Sequence, residues 1–176
     1  MHKPDPGEYP PYFHQYIKRV PEGDISVFLE EQLTSTVHFL NSFSEEVAMY
    51  RYAPDKWCIK EVIGHVIDTE RIFAYRALCF ARNDKTHLPG FDQDNYVKES
   101  TFSIRSMIEI IDEYQTVRQA SISLFRSLDT AALNRTGQAS DYSISVRSIP
   151  YIVAGHELHH RATVETLYLH RKSQNE

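Results

Sequence analysis

At 176 residues the chain has the length of one domain, enough to bury a core without metal or disulfide staples. A net charge of −5 with no Lys/Arg cluster argues against nucleic acid or an anionic membrane as the main partner. No apolar run approaches the roughly 18 residues of a membrane span, and the polar, Pro-rich start lacks the apolar stretch of a signal peptide. The two cysteines, Cys58 and Cys79, have neither disulfide-like nor zinc-like spacing. A cytoplasmic protein with reduced thiols is expected.

Residues 1–21 read as an extended N-terminal arm, broken by Pro4, Pro6, Pro10, Pro11 and Pro21. Its aromatic residues Tyr9, Tyr12, Phe13 and Tyr16 favour packing on the domain. Ile25, Phe28, Gln32, Thr36 and Leu40 then recur at helical spacing behind a candidate cap, Asp24, which predicts a first helix over 24–43. Pro54-Asp55 marks a break before a second helix over 58–82. The long polar segment 83–101, with Leu88-Pro89-Gly90-Phe91-Asp92, suits a crossover or a site-lining loop. A third helix is predicted over 103–128, with Ile104, Ile108, Ile111, Tyr114, Ile122 and Phe125 inward. After a second loop, 129–144, a fourth helix runs over 146–170, where Pro150 suits the first turn if Ser148 is the cap. Strand-like alternation is absent. The expected class is all-α: one four-helix bundle spanning 1–176, up-down-down-up because the long loop between helices 2 and 3 permits parallel neighbours.

Helical geometry sorts the nine histidines. At about 100° per residue, His156 and His160 sit in the middle of the fourth helix's apolar stripe, with Ile149, Ile152 and Leu167. On the second helix His65 shares a face with Cys58, Val62, Thr69 and Ile72. A lone inward histidine is more often a satisfied core residue than a ligand. Three of them on two helices, two paired at i, i+4, point instead to one metal that satisfies all three ring nitrogens. Three neutral nitrogens suit zinc, nickel or iron rather than calcium or magnesium, and leave a coordination position free for chemistry.

Two rival motifs share these residues. His156-Glu157-Leu158-His159-His160 spells H-E-x-x-H, the metalloprotease helix, but its downstream third ligand is missing. Glu157 and His160 also form E-x-x-H, but a di-iron bundle needs a second such motif and two further inward glutamates. Other inward polar residues invite roles. Glu61 and Asp68 are candidates to orient His65 from behind, as metal-bound histidines require. Glu157 and Asp68 are the candidate general bases. Arg76 is a candidate anion anchor, and Arg76 or a loop residue, Asp92 or Arg147, is a candidate to orient a cofactor. Arg118, between Tyr114 and Ile122, reads as half of a buried ion pair.

Taken together, three stretches resemble the DinB/YfiT-like family. They are Lys56-Trp57-Cys58-Ile59-Lys60-Glu61-Val62-Ile63-Gly64-His65, then Asp68-Thr69-Glu70-Arg71, and Gly155-His156-Glu157-Leu158-His159-His160. The resemblance covers about 24–170, and its most specific element is one histidine on the second helix with H-x-x-x-H on the fourth. It implies the up-down-down-up bundle and a three-histidine metal site, carried here by His65, His156 and His160. Characterised members are thiol-dependent transferases and isomerases using bacillithiol, mycothiol or glutathione; others are described as metal-dependent hydrolases or damage-induced proteins. The expectation is a metal-dependent, thiol-dependent S-transferase acting on a small molecule. The alternatives are a hydrolase using metal-activated water and a non-catalytic metal- or small-ligand-binding stress protein. A homodimer is also expected, because Ile63, Ile67, Ala74 and Leu78 on the second helix, and Tyr151, Ala154, Leu158, Ala162 and Leu169 on the fourth, form apolar stripes behind the metal face.

Overall fold

Each long helix begins where the sequence can satisfy free backbone N–H groups. Residues 1–169 are described by the computed structural model. Helix α1 is a short turn, His14–Ile17. Helix α2, Ile25–Asn41, starts where the Asp24 carboxylate accepts from Ser26 N at 2.8 Å. After a short α3, Glu45–Ala48, helix α4 runs Ile59–Ala81, and Glu61 reaches back to accept from Cys58 N at 2.8 Å. Helix α5, Gln93–Glu99, gives structure to the middle of the expected long loop. Helix α6, Met107–Arg126, opens with a Ser106/Glu109 capping box. Helix α7, Thr130–Leu133, is a single turn. Helix α8, Ser148–Thr163, carries Pro150 in its first turn and passes into a π-helical stretch, Val164–Leu169. The expected end of this helix, His170, lies outside the described residues.

Cross-helix contacts fix the direction of each helix. Gln32 and Glu30 of α2 meet Arg118 and Arg126 of α6 in opposite order, so these two helices are antiparallel. Lys60 and Glu70 of α4 meet Arg105 and Arg118 in the same order, so α4 and α6 are parallel. The start of α4 meets the end of the last helix, where Tyr168 Oη donates to the Trp57 carbonyl at 2.8 Å. Gln32 and Thr36 meet Ala154 and Glu157 in order, which makes α2 and α8 parallel. The result is an up-down-down-up four-helix bundle.

The core is in two parts. One cluster, including Leu29, Phe73, Phe80, Phe125 and Ile152, fills one end of the bundle. A second, including Leu40, Ile59, Ile67, Ile110 and Val164, fills the other. A buried polar layer lies at mid-height. Arg118, fully buried, donates to both oxygens of Glu70 at 2.9–3.1 Å, to Gln32 Oε1 at 3.0 Å and to Glu157 at 2.5 Å. Thr36 Oγ1 and Tyr114 Oη also donate to Glu157, at 2.5 and 2.9 Å. The buried ion pair expected of Arg118 is thus a network across all four long helices, and it satisfies each charge it buries.

Three features depart from the sequence expectations. The arm is not extended: Pro6–Glu8 and Pro11–Phe13 are 3₁₀ turns that lead into α1. It packs tightly, with Tyr9, Tyr16, Ile17 and Val20 buried. The Tyr16 carbonyl comes so near α8 that a Cβ at Gly155 would stand 2.1 Å from it. Second, a two-stranded hairpin, β1 Thr136–Ala139 and β2 Tyr142–Ser145, occupies the second loop. It turns through Ser140 and Asp141, both at positive φ (52° and 65°), without the Asn-Gly or Asp-Gly that would advertise such a turn. Third, α6 starts at Met107 rather than 103, which leaves Ile104 83% and Ile108 70% exposed. Ser106 caps the helix, and Ile108 sits roughly 120° from the Tyr114 face.

The rear stripes from which a homodimer is expected are largely covered within the chain. Ile63 and Ile67 are buried in the second cluster, and the Phe102 ring lies where a Cβ on Gly64 would be. Tyr151 and Ala154 are buried as well, and Tyr151 Oη donates to the Met1 carbonyl at 2.8 Å. Leu78 keeps 39% exposure. Among the described residues no helix is long and apolar enough to cross a membrane.

Candidate metal centre

Periodicity puts His65 on the inner face of α4, and the i, i+4 spacing puts His156 and His160 on the inner face of α8. The antiparallel crossing brings all three rings to one point. His65 Nε2 and His160 Nε2 each lie 3.1 Å from His156 Nε2, and the three ligand atoms fall within 4.8 Å of one another. Imidazole nitrogens about 2.0–2.1 Å from one tetrahedral ion would stand roughly 3.3 Å apart, so the spacing fits a shared cation. His156 Nε2 has either one lone pair or one N–H, so it can make a good hydrogen bond with only one of its two neighbours, whereas one cation serves all three. His65 and His156 are buried. Burial lowers the pKa of His65 to about 4 and that of His160 to about 3, the latter also through the neighbouring His65 and His159. Burial, with His160, His65 and His159 beside it, holds His156 well below the ordinary imidazole value. All three are therefore neutral at pH 7, the state that ligates.

Several candidates stand elsewhere than the sequence suggested. Glu61 does not orient His65: its carboxylate is forked on Arg51 at 2.6 and 3.0 Å, at the start of α4. Asp68 pairs with Arg71 at 3.4 Å, and burial raises its carboxyl above the usual range. The residue beside His65 Nδ1 is Thr69, whose Oγ1 is 3.5 Å away; its position one turn on made it legible in the sequence. Glu157 faces away from the triad into the Arg118 network. Arg147 is bound to Glu8 and pins the arm, away from the site cavity. Asp92 caps α5.

Arg76 does reach the site. A cavity of about 350 Å³ has His65, Thr69, Phe73 and Arg76 on one wall and Ile152 and His156 on another. Tyr12, Phe13 and Tyr16 of the arm, Phe91 and Gln93 of the crossover segment and Ser140 of the hairpin turn complete it. Tyr16 packs edge-on against His156, with ring centres 5.4 Å apart. On the other side, a cavity of about 240 Å³ reaches His160 past Asp55, Trp57 and Asp94. Trp57 lies 5.0 Å from the His65 ring. Only the fold assembles these contributions from the arm, the crossover segment and the hairpin, since no motif links them.

No curated protein matches the chain. Among solved structures it is similar to YfiT from Bacillus subtilis, described as a probable metal-dependent hydrolase with an unusual four-helix bundle topology. The two share 14% identity and a TM-score of 0.69, over 84% of this chain and 90% of that one. The family model of the DinB superfamily matches residues 29–164. With that match over most of its length, the chain belongs to the DinB superfamily.

Proposed function

We propose that the protein is a metal-dependent enzyme that joins a low-molecular-weight thiol to a small electrophile, with the metal held by His65, His156 and His160. The observation that carries this reading is the cavity wall. The triad opens on a mostly aromatic chamber lined by no carboxylate among the described residues, while the nearby acids Glu157 and Asp68 are tied to arginines. Metal-bound water also ionises near neutral pH, but hydrolysis still calls for a free group to return a proton to the leaving group; a coordinated thiol, more acidic from the start, attacks without one. A divalent transition metal on the triad, when bound, supplies the Lewis acidity that stabilises a thiol's conjugate base.

The remaining work falls to the chain. Thr69 is placed to accept from His65 Nδ1 and so hold Nε2 toward the site. The arm aromatics Tyr12, Phe13 and Tyr16 wall the cavity on one side. In the reaction the thiol gives up its proton, sulfur bonds to the electrophilic carbon, and the leaving group departs with its electron pair; an epoxide or activated alkene takes up a proton instead.

A second reading, hydrolysis, draws on Asp55 and Asp94, which line the cavity on the His160 side. The description of YfiT as a probable hydrolase lies in the same direction. One experiment separates the two. Metal-loaded protein is offered aryl halides, epoxides and esters, with and without glutathione or another small thiol. Thiol-dependent consumption that disappears in His156→Ala supports the transferase. Thiol-independent ester or amide cleavage overturns it in favour of hydrolysis.

A further inference from the structure

Arg76 is an unusual buried charge. It is only 4% exposed, yet among the described residues no carboxylate pairs with it. Its contacts are neutral: Nη2 donates to the Pro89 carbonyl at 2.8 Å and to Ser140 Oγ at 3.2 Å, and the guanidinium carbon lies 5.1 Å from the centre of the Phe73 ring. Burial lowers its pKa, and no charged neighbour offsets this. Arg118, buried still more deeply, has two carboxylates. A buried guanidinium without a counter-ion is costly unless something supplies one.

The unused donors show where that partner would come from. Nε and Nη1 of Arg76 make no protein hydrogen bond, and no fully enclosed side-chain polar atom among the described residues lacks a partner. These donors are therefore open to solvent, and of the three cavities that Arg76 lines among the described residues one is shared with His65 and His156, where a ligand could reach both. The fold spends three separate segments on holding the head there: Pro89 of the crossover, Ser140 at the strained hairpin turn and Phe73 one turn back on α4. Leu88 is stitched to the hairpin by hydrogen bonds from its N to Gln138 O and from Ser140 N to its own carbonyl, which fixes the first two against each other. Arg76 lies about 16 Å beyond His65 along α4, eleven residues at about 1.5 Å each. Apart from Thr69 and Gln93, the rest of the wall is largely apolar, through Phe73, Tyr16, Phe91 and Ile152.

We infer that the site takes a carboxylate-bearing ligand with an apolar body, its carboxylate on Arg76 and its other end at the three histidines. This deepens the metal-site reading by naming the chemical class of its ligand, and rests on that reading only for what lies at the far end. A planar guanidinium suits a carboxylate through paired hydrogen bonds. Both a small thiol cofactor and its acceptor could carry that group.

The test is calorimetric and needs no turnover. Phenylpropionate and its neutral isostere phenylpropanol are titrated into zinc-loaded wild type, Arg76→Leu and Arg76→Lys, each first shown to melt cooperatively. The acid should bind wild type at least about tenfold more tightly than the alcohol. That preference should vanish in Arg76→Leu and survive in part in Arg76→Lys, which keeps the proposal falsifiable if the leucine variant fails to fold. Equal binding of acid and alcohol by wild type, no binding of either, or a preference that persists in Arg76→Leu overturns the proposal. Repeating the titration after chelation separates the two readings. A preference that depends on zinc but not on Arg76 means that the acid sits on the metal and the anchor is wrong. A protein that binds no zinc but keeps the Arg76-dependent preference retains the anchor and loses the metal. Glutathione added as competitor assigns the anchored carboxylate: displacement of phenylpropionate gives it to the thiol, simultaneous binding gives it to the acceptor, and Arg76-dependence in either case supports the anchor.

Discussion

Arg118 of α6 donates to Glu157 of α8 at 2.5 Å, one residue along the chain from His156. Thus the residue that follows a candidate metal ligand is clamped to a buried network shared by four helices. Removing one partner of a buried pair typically costs about 3–5 kcal/mol, because the survivor is left charged and dry. Arg118→Leu should lose that order of stability in urea unfolding of metal-free protein, and zinc affinity should fall with it. Arg126→Ala, which breaks the exposed pair with Glu30, should change little. Equal effects from the two variants would contradict the network's role.

Metal stoichiometry tests the triad. One zinc, nickel or iron per chain is expected by elemental analysis. His65→Ala, His156→Ala and His160→Ala should each strongly reduce it. His38→Ala should not, nor should His159→Ala, whose ring packs on Tyr16 at 5.4 Å. Full occupancy in the three site variants, or two irons per wild-type chain, would refute the assignment.

The pH response follows from the neutral imidazoles. Their folded-state values lie below the ordinary 6.5, about 4 for His65 and about 3 for His160, so the unfolded chain binds more protons. Stability of metal-free protein is therefore full above about pH 6.5 and falls as pH drops toward about 4. Proton competition should release metal over the upper part of the same window. A chelated protein whose melting temperature is flat between pH 7 and about pH 4 would contradict the burial of these rings.

Gly155 is where the arm meets α8. A methyl group there would meet the Tyr16 carbonyl, part of a backbone that cannot swing aside like a side chain. Gly155→Ala should lift the arm, expose residues 9–20 to limited proteolysis and open the cavity wall formed by Tyr12, Phe13 and Tyr16. Unchanged proteolytic protection would show that the arm tolerates displacement there.

Ile67 is fully buried. Ile67→Glu should therefore abolish folding, seen as loss of the cooperative melt, rather than halve the mass measured by light scattering. A well-folded Ile67→Glu protein of reduced mass would instead place this face between subunits.

What the sequence alone determined follows from helical period. Spacing of about 3.6 residues assigns each side chain a face within its own helix, so the inward positions of His65, His156, His160 and Arg118, and the Asp24 cap, could be read one helix at a time. The up-down-down-up order rested on loop length and family resemblance, and the cross-helix contacts agree with it. Tertiary structure decided which inward polar groups meet. Glu61 and Asp68 share His65's side of α4, yet Arg51 and Arg71 claim them; Glu157 adjoins the candidate ligand His156, yet Arg118 draws it the other way. The placement of Arg76 beneath Pro89 and Ser140 depends on a hairpin whose turn carries no distinctive residue, and the close approach of the Tyr16 carbonyl to α8 depends on Gly155 having no side chain. Such pairings join distant segments through distance, desolvation and backbone approach, which the period of a single helix does not encode.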